Sequence, residues 1–174
     1  EDKKNTPTLL RAFSLFQNDP HDKLPATSYQ LVLAGKPGFG FSLKKYSGLI
    51  ASMGASLRIL GYVPDTDVPL LMAGAHTFVF PSLYEGFGIP LLEAMASGVP
   101  IVASRCASIP EVVGDAALLV DQPHKPEEFV SAFKRITHEE ALRRMLIQRG
   151  LERVQSFSWA SCTKKTFDVL MSAR

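Results

Sequence analysis

Two glutamates on either side of a glycine-containing turn are the residues best suited to chemistry in this 174-residue sequence. Glu85 and Glu93 are separated by seven residues that include Gly86 and Gly88, and a helix is predicted to begin near Ile89. The free N–H groups and the dipole of a helix start favour phosphate, and glycines let the backbone approach it closely. Because phosphate would repel a carboxylate beside it, the glutamates are better suited to accept hydrogen bonds from hydroxyl groups. The pattern therefore predicts a diphosphate at the turn, with a sugar on one side and a ribose on the other.

Simpler explanations exist for several of these polar residues. A glutamate near a helix start, such as Glu85 or Glu93, often does no more than interact with the helix dipole. Asp65 and Asp67 are spaced like a metal-binding pair but directly precede a predicted helix, so helix capping explains them better. Glu111 is explained in the same way by a capping box. No metal site is predicted.

Short apolar runs that alternate with segments of helical period predict an α/β fold. Nearly continuous apolar character, as in Leu31–Ala34 and Phe78–Phe80, is typical of parallel strands that are covered on both faces. The prediction is a Rossmann-like parallel sheet with helices on both faces. Its strands are predicted at Gln30–Gly35, Leu57–Leu60, Thr77–Phe80, Pro100–Ser104 and Ala117–Val120.

Helices are predicted between these strands and in a tail over Pro126–Arg174. Two of the helix starts look like capping boxes, one from Ser108 to Glu111 and the other from Thr137 to Glu140. In the tail, Trp159 and Phe167 are expected to be packing residues. The predicted helices begin at Thr6, near Leu43, after Asp67, at Ile89 and after Ser108, and the tail helices span Pro126–Ile136, His138–Ser156 and Ser158–Ser172.

Composition excludes several functional classes. A formal net charge of +2 is too small to indicate a nucleic-acid partner, and no run reaches the roughly 18 apolar residues of a membrane span. Cys106 and Cys162 lie far apart without partners, so neither a disulfide framework nor a zinc site is indicated. These features predict a single cytoplasmic domain over residues 1–174.

The predicted order of elements begins with a helix, whereas a doubly wound sheet ordinarily begins with a central strand. We therefore expect a first strand to be missing upstream, and the chain to be part of a longer polypeptide.

The turn and several other phrases resemble glycosyltransferase family 4. Glu85 and Glu93 match the E-x7-E motif of that family, and the remaining phrases occur in the family's order along nearly the whole chain. Among its members, the bacterial mannosyltransferases are the most similar. The phrases are Leu31-Val-Leu-Ala-Gly-Lys36, Leu60-Gly-Tyr-Val-Pro-Asp65, Glu93-Ala-Met-Ala-Ser-Gly-Val-Pro100, Ile109-Pro-Glu-Val-Val-Gly-Asp115 and Phe157-Ser-Trp159.

The resemblance implies the C-terminal, donor-binding half of a GT-B fold. The implied reaction moves a sugar, with mannose favoured, from a nucleoside diphosphate sugar to a glycan or lipid-linked acceptor, with retention and without a metal or other cofactor. The donor would be GDP-mannose. An N-terminal acceptor-binding domain would complete the enzyme and provide any peripheral contact with a membrane, so this chain alone should not turn over.

The resemblance also implies roles for individual residues. Lys4 would neutralise phosphate charge, Glu85 would contact the hydroxyls of the donor sugar, and Glu93 would bind the ribose diol. Whether Glu85 also stabilises the transition state stays open, as does the choice of Lys4 between phosphate ligand and solvated terminus. The other implied donor contacts are Gly86, Phe87, Gly88 and Ile89 at the diphosphate, Val63 beside the base, and Lys36 with the loop that follows it.

Other functions remain open at this point. A relative of the same fold that epimerises or phosphorolyses a sugar would use a similar donor site, and a non-catalytic module could bind a nucleotide sugar without transferring it. The family's arginine upstream of Lys4 is absent from this chain.

Overall fold

The computed structural model describes residues 2–20, 29–36 and 43–172, and its elements alternate between helices and parallel strands. The strands are β1 (Leu31–Ala34), β2 (Leu57–Gly61), β3 (Phe78–Phe80), β4 (Ile101–Ser104) and β5 (Ala117–Val120). The helices are α1 (Thr6–Gln17), α2 (Ser47–Met53), α3 (Val68–Ala73), α4 (Ile89–Ala96), α5 (Ile109–Val113), α6 (Pro126–His138), α7 (Glu140–Val154) and α8 (Trp159–Ser172). Short 3-10 turns lie at Asp2–Lys4, Leu43–Tyr46 and Gly54–Ser56. The predicted α/β class is confirmed.

The described strands form two parallel groups. β1 pairs with β2, and β4 lies between β3 and β5. All four residues of β4 are buried, because helices cover both faces of the group and leave no polar side to the strand. The continuous apolar run in the sequence of β4 is therefore explained by its position between β3 and β5.

An open cavity of about 760 Å³ separates the two groups of strands. Within the described part of the chain, β1 and β3 each have one strand partner, and both contribute residues to this cavity. Leu9, Phe13 and Phe16 of α1 line it from one side.

Helix α1 is positioned by an aromatic and aliphatic core. Phe16 meets Phe133 of α6 edge to face, with ring centroids 5.8 Å apart, and Leu10 is fully buried. Such ring pairs stabilise by about 0.5–1.5 kcal/mol beyond the area that they bury. This packing fixes α1, and with it the residues just before α1, against the rest of the domain.

The helical tail is packed unevenly. In α7, Gly150 faces Met95 of α4 so closely that a Cβ atom at position 150 would lie 3.2 Å from the Met95 Cγ. Helix α8 is exposed along its length, with Trp159 81% and Phe167 60% exposed. The expectation that these two aromatic residues pack within the described chain is wrong, because no described element covers this helix.

Both predicted capping boxes are wrong. Thr137 lies inside α6 and its hydroxyl donates to the carbonyls of Phe133 and Lys134. Ser108 is the N-cap residue of α5, but its side chain makes no capping hydrogen bond. Asp67 likewise precedes α3 without a side-chain cap. Hydroxyl groups that match a capping pattern in sequence are used here for other contacts.

Asn5 joins the segment before α1 to the loop between β5 and α6. Its backbone is in the left-handed region, with φ 52°, and its buried side-chain Nδ2 donates to the carbonyl of Pro123 over 2.6 Å. Asparagine tolerates this conformation better than most residues because its short polar side chain bonds locally. The residue therefore satisfies a backbone constraint and a tertiary contact together.

Replacing Asn5 should separate these two contributions. We expect Asn5→Gly to lose the buried hydrogen bond, at a cost of roughly 1–3 kcal/mol. Asn5→Ala should cost about 1 kcal/mol more, since alanine is strained at positive φ. Urea unfolding measures both values. Equal stability of the two variants would contradict the assigned backbone constraint.

Candidate functional site

The candidate site lies at the carboxyl end of β3, where the loop to α4 begins. Glu85 forms an ion pair with Lys4, whose Nζ is 2.6 Å from Glu85 Oε1. The Glu85 side chain is 13% exposed and that of Lys4 is 45% exposed, so the pair is half open to solvent. These two predicted site residues lie 81 positions apart in sequence, and the fold brings them into contact.

Lys4 is held in this place by its neighbours. The carbonyl of Lys3 accepts a hydrogen bond from the N–H of Leu83 over 2.7 Å, just past the end of β3. Lys4 Nζ also lies 5.6 Å from the centre of the Phe80 ring, within the range of a cation–π contact. Lys4 is therefore partly exposed and ordered beside the loop, and its role as a phosphate ligand stays a prediction.

The Glu85 carboxyl group is tuned by opposing influences. Burial would raise its pKa and is the largest of them. Hydrogen bonds from Lys4 and Ser82, together with the charges of Lys4 and Lys3, act in the other direction and prevail, so the pKa of Glu85 lies below its ordinary value. Glu85 is therefore a carboxylate at neutral pH.

The loop joins α4 at Gly88, a position where any other residue would be strained. Gly88 is the N-cap residue of α4 with φ 96°, and a Cβ atom there would lie 2.9 Å from Leu91 Cδ1. Pro90 occupies the first turn, where its missing N–H leaves no bond unmade. The first N–H groups of a helix have no intrahelical carbonyl partner, so a helix start of this kind can bind phosphate.

Glu93 lies one turn into α4, on the face that points away from the core. It is exposed, as is Ile89 four residues before it, whereas Leu91, Ala94 and Met95 are buried. Residues four apart on a helix lie on the same side. Glu93 and Ile89, the first residue of the helix, thus lie on one accessible face of α4.

A second group of predicted residues lies beyond β1 and β2. Gly35 donates from its N–H to the carbonyl of Gly61 over 2.6 Å, which aligns the ends of the two strands. Lys36 Nζ lies 5.2 Å from the centre of the Tyr62 ring, and Val63 next to it is half-buried. The contacts of the described residues do not join this group to Glu85. The loop from 37 to 42, which was expected near the donor, lies outside the described residues.

Two serines of the site were not identified from the sequence as functional. Ser82 is 1% exposed and donates to Glu85, and Ser108 donates to the carbonyls of Glu85 and Phe87. Ser82 follows a predicted strand at the edge where ligands bind, and that position was the available signal. Ser108 gave the signal of a capping box, which concealed its contact with the loop.

Comparison with known proteins identifies the family of this chain. The model of the family "Glycosyl transferases group 1" matches residues 1–153. The chain belongs to this family. An O-antigen chain mannosyltransferase B from Escherichia coli is 39% identical over 168 residues, which are 97% of this chain and 42% of that protein. An MMP alpha-(1->4)-mannosyltransferase from Mycolicibacterium hassiacum is 40% identical over 131 residues, or 72% of this chain and 32% of that protein.

Solved structures of similar fold are glycosyltransferases. Sucrose-phosphate synthase from Thermosynechococcus elongatus matches all of this chain with a TM-score of 0.80 and 27% identity, over 44% of its own chain. Trehalose 6-phosphate synthase from Burkholderia multivorans matches 99% of this chain with a TM-score of 0.86, and at 15% identity it supports the fold alone. The fold is therefore that of one half of a GT-B glycosyltransferase. The chain spans about two fifths of the length of these relatives.

The described ranges contain no group of three or more His, Cys, Asp or Glu side chains arranged to hold a metal ion. In the same ranges, no helix has both the length and the apolar character to cross a membrane.

The lowered pKa of Glu85 makes a prediction about stability in acid. A carboxyl group whose pKa is lower in the folded than in the unfolded chain stabilises the fold above the unfolded pKa, about 4.3 for glutamate. This contribution is lost as the pH falls through the folded value. We expect Glu85→Gln to be less stable than the wild type near neutral pH, and the difference to shrink in acid, in urea unfolding followed by circular dichroism.

Glu140 provides the control for this measurement. Its pair with Arg144 is a surface contact of 3.7 Å with both side chains about 70% exposed, so Glu140→Gln should change stability little at any pH. A deficit of Glu85→Gln that stayed constant from neutral pH into acid would contradict the assigned ionisation.

Proposed function

We propose that this chain is the donor-binding half of a retaining, metal-independent glycosyltransferase that transfers mannose from GDP-mannose. The observation that carries the proposal is the Lys4–Glu85 ion pair at the mouth of the loop that starts α4. It places a cation, a carboxylate and a helix N-terminus within one small surface. Those are the groups that a sugar linked to a diphosphate requires.

The proposed reaction needs a leaving group to be stabilised. The bond between the sugar C1 and the diphosphate oxygen breaks, and the nucleoside diphosphate leaves with the bonding electrons. A bond from C1 to the acceptor hydroxyl oxygen forms, and the proton of that hydroxyl passes to the departing diphosphate oxygen. The charge that develops on the leaving oxygen is stabilised by Lys4 and by the N–H groups of Gly88 and Ile89. Fixed donors of this kind act without reorganising as the charge appears.

Lys4 can serve phosphate without releasing Glu85. An ammonium group has three N–H donors, and the 45% exposure of Lys4 leaves part of it open toward the loop. Glu85 would then accept from hydroxyls of the sugar while it holds Lys4 in position. Because Glu85 is a carboxylate, it favours positive charge near the sugar ring during transfer.

The nucleoside end of the donor is proposed to lie along α4. Glu93 accepts from the ribose hydroxyls on the exposed face of the helix, and Val63 lies beside the base. Lys36 extends this side of the site. The mannose of the donor is inferred from the relatives, since an O-antigen chain mannosyltransferase B matches nearly the whole chain at 39% identity. Guanine is proposed as the base that accompanies mannose.

The acceptor is proposed to bind outside this chain. The chain matches 42% of that mannosyltransferase, and we propose that an N-terminal domain of the same polypeptide binds a glycan or lipid-linked acceptor and completes the active site. Transfer should accordingly require both halves, whereas donor binding should be measurable with this one.

Nucleotide titration tests the donor site. Calorimetry with GDP, UDP and ADP should show binding of GDP, and GDP-mannose should bind at the same place and compete with it. If none of the three diphosphates binds, the proposal is wrong. Binding of GDP-mannose without transfer in the complete polypeptide would favour a non-catalytic binding module instead.

Two variants should distinguish the contact with the diphosphate from the contact with the ribose. Lys4→Ala should weaken GDP by about ten- to hundredfold, since a charged hydrogen bond contributes about 1.5–3 kcal/mol, and should weaken GMP much less. Glu93→Ala should weaken GDP and GMP by a similar factor, because the ribose is common to both. The two ratios are measured by titration of each variant with both nucleotides.

Lys164 and Glu140 are matched controls for charge. Both are exposed on helices of the tail, so Lys164→Ala and Glu140→Ala should leave both affinities within about twofold of the wild type, as expected of screened surface charges. If Lys4→Ala weakened GMP as much as GDP, Lys4 would not be the diphosphate ligand.

A further inference from the structure

The loop that starts α4 is held from behind by a single hydroxyl group. Ser108 Oγ lies 2.9 Å from the carbonyl oxygen of Glu85 and 3.2 Å from that of Phe87, and its single O–H is shared between the two acceptors in a bifurcated hydrogen bond. Ser108 stands at the N-cap position of α5 without capping that helix. An unused cap leaves helix N–H groups less well satisfied, so the contact with the loop is made in preference to a local one.

These two hydrogen bonds determine the direction of two N–H groups. In a trans peptide the carbonyl of one residue and the N–H of the next point to opposite sides of the same plane. Since the carbonyls of Glu85 and Phe87 point to Ser108, the N–H groups of Gly86 and Gly88 must point away from it. Among the described residues, no backbone carbonyl accepts from either of these N–H groups. They are therefore available on the outer side of the loop.

The aromatic side chain of the loop is held by a second contact. The Phe87 ring meets the Phe157 ring edge to face, with centroids 5.8 Å apart and an interplanar angle of 75°. Phe157 is itself covered by the Arg153 guanidinium, 5.1 Å from its ring centre. Edge-to-face and cation–π pairs both have preferred orientations, so they restrict the ring more than apolar burial would.

Arg153 ties this second contact back to α5. Its Nη2 donates to the carbonyl of Glu111 over 2.7 Å and its Nε to that of Val112 over 3.1 Å, which satisfies two carbonyls at the end of α5. Helix α5 is therefore connected to the loop at both ends. The connection is direct through Ser108 at its start, and it passes through Arg153 and Phe157 of the helical tail at its end. These contacts enclose a hollow of about 220 Å³ behind the loop.

We propose that Ser108, supported by Arg153 and Phe157, is a positioning residue that turns the N–H groups of Gly86 and Gly88 toward the diphosphate of the donor. The proposal rests on the proposed donor site, and it adds a cause for the direction of the loop. Ser108 itself touches no donor atom. Its effect passes through two peptide planes.

The substitution Ser108→Ala tests the proposal through a ratio of affinities. We expect GDP to bind about tenfold more weakly, as for the loss of one or two neutral hydrogen bonds, and GMP to bind almost as in the wild type. A merely structural role would weaken both nucleotides together. Amide NMR adds a direct readout, since GDP should shift the Gly86 and Gly88 resonances in the wild type and shift them less in the variant.

Three further variants complete the test. Ser108→Thr keeps the hydroxyl, and the hollow next to it has room for a methyl group, so it should restore GDP affinity. Phe157→Leu leaves Ser108 intact and should weaken GDP about threefold, through the loss of an aromatic pair. Ser131→Ala removes an exposed hydroxyl that bonds the Glu127 carbonyl within α6, and it should change neither affinity.

The outcomes separate this proposal from the one on which it rests. If the wild type binds no nucleoside diphosphate, both are wrong. If the wild type binds GDP and Ser108→Ala keeps the wild-type ratio of GDP to GMP affinity, the donor site stands and the positioning role is lost. Should Ser108→Ala lower the melting temperature too far for titration, an unchanged ratio in Phe157→Leu overturns the role instead.

Discussion

The site depends on an ion pair between two residues that lie 81 positions apart in sequence. Lys4 and Glu85 meet only because α1 is packed on α6, because Asn5 is bonded to Pro123, and because the Lys3 carbonyl is paired with Leu83. Each of these contacts belongs to a different part of the chain. The ion pair therefore depends on packing in several parts of the domain. A substitution that shifted α1 would alter the site by moving Lys4.

The same principle applies on the other side of the loop. Ser108 donates to the segment between β3 and α4 and does not cap α5. Arg153 donates to a carbonyl of α5 and packs on Phe157, which contacts the same segment. A helix of five residues, α5, has few groups to spare for this. Ser108 at the start of α5 contacts the loop directly, and Phe157, which packs against Arg153 of α7, contacts Phe87, so the conformation of the loop depends on α5 and on the helical tail together.

The sequence predicts the strands well because burial on both faces leaves a direct trace in it. The predicted strand Ala117–Val120 agrees at both ends, and Thr77–Phe80 is one residue longer than β3. The predicted caps fail because serine and threonine can donate to any carbonyl within reach, and the partner of Ser108 lies in another element. The E-x7-E spacing locates the loop, but no local pattern shows that Lys4 faces Glu85. Contacts between distant segments are where the reasoning from sequence ends.

The Lys4–Glu85 pair has a thermodynamic consequence for any anion that approaches the loop. A free lysine side chain loses about 2 kcal/mol of rotamer entropy when it is immobilised. Here the carboxylate and the Phe80 ring have already restricted Lys4 in the absence of a ligand, so most of that loss belongs to folding. Lys4 is therefore preorganised, and the binding of an anion beside it would need little rearrangement of the protein.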